Sequence, residues 1–175
     1  WMVALPVESP DDPPSARFRL LHRSSHLGDE IIFDTGARRI EFGHEAIDLL
    51  LAYTHPTGAR AYGGGSWIFR SNTENEPLLH VLGTSVKDDA ALQAGIDGAW
   101  YPWENGRLGV VAGLDWQAAQ RTDWKSQVAA IAGVVGRGEG RRFRLQFRFF
   151  HGVSPLGEFF LSDETYFGLE IAADL

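Results

Sequence analysis

The sequence predicts an all-β protein, an antiparallel up-and-down β-barrel of the outer-membrane type. Apolar and polar residues alternate with a period of two along most of the chain, and helical periodicity hardly occurs. Glycine-rich turn signals separate neighbouring alternating segments, as they do in β-hairpins. The length of 175 residues fits one domain.

The clearest predicted strand is 141–150, in which four apolar residues alternate with three arginines and a glutamine. Segment 124–135 precedes it, and the glycine-rich run 136–140 between the two predicts a hairpin. Seven further strands are predicted at 17–23, 38–53, 60–70, 78–86, 92–101, 108–117 and 167–175.

Segment 38–53 carries an irregularity, because its apolar parity flips between Phe42 and Ile47. The flip requires a β-bulge near Gly43-His44, or two separate elements.

The strand count and the chain boundaries predict an incomplete barrel. A closed bacterial barrel normally has an even number of strands. We therefore expect either one more strand, at 30–33 or 156–161, or closing strands outside this chain, which makes it the C-terminal portion of a larger barrel. Residues 8–15 are acidic and proline-rich, so 1–15 is predicted to be a lead-in or linker and 16–175 the barrel domain.

Composition excludes several classes of function. The net charge of −7 argues against a nucleic-acid partner, since phosphate binding needs a basic surface. The absence of cysteine excludes disulfides, thiolate catalysis and Cys-ligated metal sites. No apolar run approaches the ~20 residues of a membrane-spanning helix, and no signal peptide is visible.

Three features favour a membrane barrel over a soluble one, in which the apolar face would turn inward. Aromatic residues cluster near the ends of predicted strands, as in interfacial girdles. The polar faces contain charges of both signs. Segment 167–175 resembles the closing strand through which outer-membrane proteins engage the barrel-assembly machinery, with Leu175 where Phe is usual.

The charged positions of the alternating segments predict a network inside the barrel lumen. Arginine suits paired, partly desolvated positions. The predicted lumen network consists of Arg17, Arg19, Arg39, Glu41, Arg60, Asp97, Asp115, Arg142, Arg144, Arg148 and Glu170.

Three stretches carry a resemblance to a known family. They are His22-Arg23-Ser24-Ser25-His26-Leu27-Gly28-Asp29-Glu30, Tyr62-Gly63-Gly64-Gly65 and the segment 150–160. In this order and spacing they resemble the bacterial family catalogued as domain of unknown function 1207, whose members are generally regarded as outer-membrane barrels. The resemblance implies the fold and the outer-membrane location, and it implies no activity.

The first of these stretches concentrates hydroxyl, imidazole and carboxyl groups, a combination that can support nucleophilic catalysis. The candidate residues are His22, Ser24, Ser25, His26, Asp29 and Glu30. Alternatively, the serines and Asp29 order a turn while the histidines pair with carboxylates. A metal site is disfavoured, because a strand separates His22 from His26 by about 13 Å.

The leading functional hypothesis is a non-enzymatic barrel of the bacterial outer membrane, either structural or a narrow pore. Its partners are then outer-membrane lipid and the assembly machinery, and neither a cofactor nor a metal is expected. One alternative is a lipid-modifying hydrolase or acyltransferase of the same membrane. Another is a soluble, lipocalin-like binder of small ligands, in which the apolar residues line a cavity.

Overall fold

In the part of the chain that the structure describes, the fold is one nine-stranded antiparallel sheet in which each strand pairs with its neighbours in sequence. The computed structural model describes residues 2–8, 14–26, 41–72, 86–103, 106–138, 141–154 and 162–174. The strands are β1 Met2–Glu8, β2 Ser15–His26, β3 Glu41–Thr54, β4 Ala59–Ser71, β5 Ala90–Trp100, β6 Leu108–Ala119, β7 Gln127–Arg137, β8 Arg142–Val153 and β9 Asp163–Asp174. Within these ranges no ladder joins β1 to β9. The predicted all-β, up-and-down architecture is confirmed.

Strand β1 lies in the segment for which the sequence predicted a lead-in. It pairs with β2 from Met2 opposite Arg23 to Glu8 opposite Arg17. Pro6 obscures this strand in the sequence, because proline cannot donate to a ladder and is confined to edge strands. β1 is an edge strand of the described sheet, so Pro6 is tolerated there.

Strand β3 is a single element whose pairing with β2 runs without a register shift, so the bulge predicted within it is absent, and a bulge occurs instead in its pairing with β4. The register shifts between Glu45 and Ala46, which oppose Arg70 and Ile68, so Phe69 is the extra residue. The irregularity therefore lies close to the predicted Gly43-His44, with the inserted residue on the neighbouring strand.

The prediction that the seventh strand begins at Trp124 is wrong, because a tight turn occupies that position. Residues 120–122 form one turn of 3-10 helix, and Asp123 and Trp124 follow it with left-handed φ angles of 51° and 59°. The Trp124 backbone N–H donates to the Ala119 carbonyl across the turn, and β7 begins at Gln127. The further segments proposed at 30–33 and 156–161, and the strand proposed at 78–86 up to residue 85, lie outside the described residues.

Strand alternation gives the sheet an apolar face and a polar face. The apolar face, called the outward face below, is exposed: Phe147 is 70% accessible and Phe167 and Ile171 are 79% accessible. Its large members include Phe18, Leu20, Leu49, Leu51, Tyr53, Trp67, Leu92, Ile96, Leu114, Trp116, Phe143, Leu145, Phe147, Phe167, Leu169 and Ile171. The opposite face carries most of the arginines and carboxylates of the described strands.

The polar face is the concave one, because side chains of strands that are not neighbours line the same cavities. One cavity of about 370 Å³ is lined by Arg19 of β2, Ser66 of β4 and Gln117 of β6, among others. The sheet therefore curls with its charges inside and its apolar residues outside, which is the curvature of a barrel.

The two ends of the sheet differ in their connections. At one end the strands are joined by residues 27–40, 72–89, 120–126 and 154–162. At the other end they are joined by residues 9–14, 55–58, 101–107 and 138–141. We call the first the long-loop end and the second the short-turn end.

Close packing at Gly133 gives a test of the concave surface. A Cβ there would collide with the Leu145 carbonyl and lie 2.5 Å from Gln146 Cα, whereas a Cβ on Gly168 would meet nothing within 4 Å. We expect Gly133→Ala to lower the free energy of unfolding by about 1–3 kcal/mol. We expect the control Gly168→Ala to change it by less than about 0.5 kcal/mol. Urea unfolding followed by tryptophan fluorescence measures both values, and equal effects would contradict the described packing.

Candidate functional site

Ion pairs between opposite charges run across the concave face, and we call them together the concave network. The Asp48 carboxylate is buried, and its Oδ1 accepts a 2.8 Å hydrogen bond from Arg19 Nε and lies 3.9 Å from Arg17 Nη2. Arg60 and Asp97 form a further pair at 3.3 Å between β4 and β5. These contacts join members of the predicted lumen network, and Asp48 is a partner that the sequence did not reveal.

The same face continues through β8 and β9. Arg148 Nη2 lies 3.0 Å from Glu170 Oε2. Arg142 and Arg144 line a cavity of about 550 Å³ at the short-turn end, together with Arg60 and Asp97. The structure thus places these predicted residues on one surface. Arg39 and the side chain of Glu41 lie outside the described residues.

Asp115 is the hub of a polar cluster that spans three strands. Its Oδ2 accepts hydrogen bonds from Tyr62 Oη and Gln93 Nε2, and its Oδ1 accepts one from Gln117 Nε2, each at 2.7 Å. Tyr62 of β4 reaches over β5 to β6 because Gly95 leaves room, since a Cβ there would collide with the tyrosine ring. Asp115 was predicted, but its three donors were not.

A second polar cluster, called the outward cluster below, lies on the outward face at the long-loop end. His22 of β2 stands opposite Glu45 of β3, with His22 Nδ1 3.7 Å from Glu45 Oε1. Arg70 of β4 approaches the same Glu45 oxygen to 3.4 Å. His22, Ser24 and Glu45 line a cavity of about 340 Å³ with Gly43, His44, Arg70, Ser71 and Asn72.

This second cluster combines predicted and unpredicted residues. His22 and Ser24 were candidates for catalysis, and the structure brings them to one cavity with a carboxylate, Glu45, that was not. The side chains of the other candidates, Ser25, His26, Asp29 and Glu30, lie outside the described residues. Glu45 could have been found only from the pairing register of β2 and β3, because it follows His22 by 23 positions in sequence.

Within the described ranges, no group of three or more His, Asp or Glu side chains is placed to hold a metal ion. The same part of the chain contains no helix that is long and apolar enough to cross a membrane.

Comparison with known proteins identifies the family. A family model described as a protein of unknown function, DUF1207, matches residues 9–174. The chain belongs to the DUF1207 family. The DUF1207 match includes both the concave network and the outward cluster, so the resemblance inferred from the sequence is confirmed. No curated protein and no solved structure matched the chain.

Removal of the Asp115 carboxylate tests the hub of the concave network. Asp115→Ala leaves the hydroxyl of Tyr62 and the amides of Gln93 and Gln117 without their acceptor. We expect a loss of about 1–3 kcal/mol in the free energy of unfolding, because unsatisfied donors in a partly buried site keep their desolvation cost.

The variant Tyr62→Phe is the matched control for that measurement. It removes one donor and leaves the two amide donors in place, so we expect a loss of about 1 kcal/mol. In the double variant the two losses will not add, because both residues belong to one network. Strict additivity would contradict the contact.

Proposed function

We propose that this DUF1207 protein spans the bacterial outer membrane as a β-barrel whose interior is lined by the concave charged network. The observation that carries the proposal is the composition of the outward face. Among the outward side chains that the structure describes on the strands, the charged ones are Glu45, Arg70 and Asp163, all at the long-loop end. Uncharged polar residues such as His22 and Thr165 lie near the same end, and the rest of the face is mainly apolar and exposed. Such a surface needs a nonpolar environment to cover it.

The dimensions of the strands support the same environment. β2 to β9 have 11–14 residues each, and a tilted membrane-spanning strand needs about 9–11. Outward apolar positions continue along β9 from Phe167 to Ala173, which is about 20 Å at the rise of a strand. This approaches the height of the apolar band of outer-membrane barrels, about 25 Å.

The concave face supports a polar, charge-lined interior over a lipocalin-like cavity. Side chains such as Tyr62 cross it to reach partners two strands away, and paired charges such as Arg60 and Asp97 occupy it. A lipocalin-type cavity would instead be lined by apolar residues. We therefore infer a rigid scaffold, in contact with lipid outside and assembled through the barrel-assembly machinery.

Unequal connections at the two ends favour one orientation. Outer-membrane barrels have short periplasmic turns and longer extracellular loops. The proposal therefore assigns the long-loop end to the cell surface and the short-turn end to the periplasm.

Fractionation and gel migration test the location. The protein, expressed with a signal peptide in a Gram-negative host, is expected in the outer-membrane fraction. It is also expected to migrate differently on a detergent gel with and without boiling, because a folded barrel resists the detergent. Recovery as a soluble monomer without detergent would refute the proposal.

Two arginine substitutions on β9 test the depth of the apolar band. Leu169 lies in the middle of the strand and Thr165 lies near the long-loop end, both on the outward face. In lipid vesicles we expect Leu169→Arg to cost about 2–4 kcal/mol in the free energy of unfolding and Thr165→Arg about 0–1 kcal/mol. A flat profile along β9 would indicate that the outward face is not embedded in a bilayer.

A further inference from the structure

The outward cluster is an exception on an apolar surface. Polar and ionisable groups that face hydrocarbon are costly, and they mark function where they occur. His22, Ser24 and Glu45 lie together on this face, at the level where the apolar band gives way to the long-loop end. Beyond the scaffold role, we propose that these three residues form a serine-hydrolase centre that cleaves acyl esters of membrane lipids.

The geometry of the three side chains matches their proposed roles. In a serine-hydrolase triad a carboxylate orients the imidazole through Nδ1, and Nε2 takes the proton of the nucleophile. Glu45 faces the Nδ1 atom of His22 at 3.7 Å, which is the ring nitrogen that the carboxylate of a triad addresses. This separation exceeds a hydrogen bond, but such contacts often tighten only when substrate binds.

Ser24 carries the proposed nucleophilic hydroxyl, and it lies beside His22 on strand β2. The two residues are separated by one position on β2, so they share a face and their Cα atoms lie about 7 Å apart. Side chains of this length can meet across that distance. Both residues line the cavity of about 340 Å³, so an ester can approach them from outside the sheet.

A hydrogen-bond donor for the developing oxyanion lies on the same cavity. The Asn72 Oδ1 atom accepts a 2.7 Å hydrogen bond from the Gly43 backbone N–H, which fixes the side chain. Asn72 also lines the cavity, and we assign its amide Nδ2 as the donor to the developing oxyanion. Arg70, held 3.4 Å from Glu45, adds positive charge at the rim.

The class of substrate follows from the surroundings of the cavity, and this step rests on the proposed membrane location. Leu20 of β2, Ile47 of β3 and Trp67 of β4 are the next outward residues toward the middle of the sheet. They offer an apolar surface along which an acyl chain can lie, with its ester bond at the polar cluster. A lipid of the outer leaflet presents its ester at this depth when the long-loop end faces the cell surface.

The reaction is a two-step hydrolysis. Ser24 Oγ bonds to the ester carbonyl carbon as its proton passes to His22 Nε2, and the bond to the lipid alcohol then breaks with return of that proton to the leaving oxygen. Water next attacks the acyl-Ser24 carbonyl, giving a proton to His22. The bond to Ser24 breaks, Ser24 recovers the proton, and a fatty acid is released.

Covalent labelling and ester hydrolysis test the proposal on the full chain folded in detergent. A fluorophosphonate probe is expected to label Ser24, located by mass spectrometry, and p-nitrophenyl octanoate to be hydrolysed. Ser24→Ala and His22→Gln are expected to lower kcat by about 100-fold or more. Glu45→Gln is expected to lower kcat with little change in KM, and Glu45→Asp to restore part of it.

The matched control uses a second imidazole–hydroxyl pair on the outward face. His151 Nδ1 and Thr165 Oγ1 lie 2.7 Å apart between β8 and β9, near the same end of the sheet. Thr165→Ala is expected to leave hydrolysis unchanged. Equal activity in Ser24→Ala and the unmodified protein, with both folded by gel migration, would overturn the hydrolase.

Fractionation of the same samples separates this proposal from the location on which it rests. Outer-membrane recovery without labelling of Ser24 would overturn the hydrolase and leave the location standing. Labelling of Ser24 in a protein recovered without detergent would overturn both the proposal of a membrane-lipid substrate and the proposed outer-membrane location. Outer-membrane recovery with Ser24-dependent release of fatty acid from phospholipid vesicles would support both.

Discussion

Pairing of opposite charges across the concave face is the constraint on which this structure depends. Carboxylates such as Asp48 and Asp97 lie on a surface that is partly withdrawn from water, where an unpaired charge is costly. Each is matched by an arginine of a neighbouring strand, which fixes the register of that pair of strands. Because side chains alternate along a strand, the residues between these inward-facing charges then lie on the outward face. The charges inside thus determine which residues meet the surroundings.

Period-two alternation was sufficient to predict most strands and the residues that share a face, because alternation is a local property of the chain. Strand β1 was not predicted, because it is short and contains Pro6. It is recognised as an edge strand only from its pairing with β2. The start of the seventh strand was predicted too early, at Trp124, for the opposite reason. Its apolar side chain continues the pattern, while the backbone has already entered a left-handed turn.

Two of the three residues of the proposed hydrolase centre were candidates from the sequence, and the third, Glu45, was not. His22 and Ser24 could be recognised, because two chemically suited residues lie one position apart on the same strand. The carboxylate could not be located, because it depends on which residue of β3 stands opposite His22, and register is set by contacts distant in sequence. Asp29 and Glu30, the nearer acids, were the natural choice from sequence alone. The hub at Asp115 shows the same limit, since Tyr62 reaches it only past a glycine on the strand between them.

The odd number of described strands has a directional consequence. Strands alternate in direction along the sheet, so β1 and β9 both run from the long-loop end toward the short-turn end. Their free edges can therefore join directly only as a parallel ladder, with evenly spaced, slanted hydrogen bonds. A strand inserted between them and running the other way would be antiparallel to both. Closure of the described sheet into a barrel would therefore require either a parallel ladder between β1 and β9 or a further strand between them.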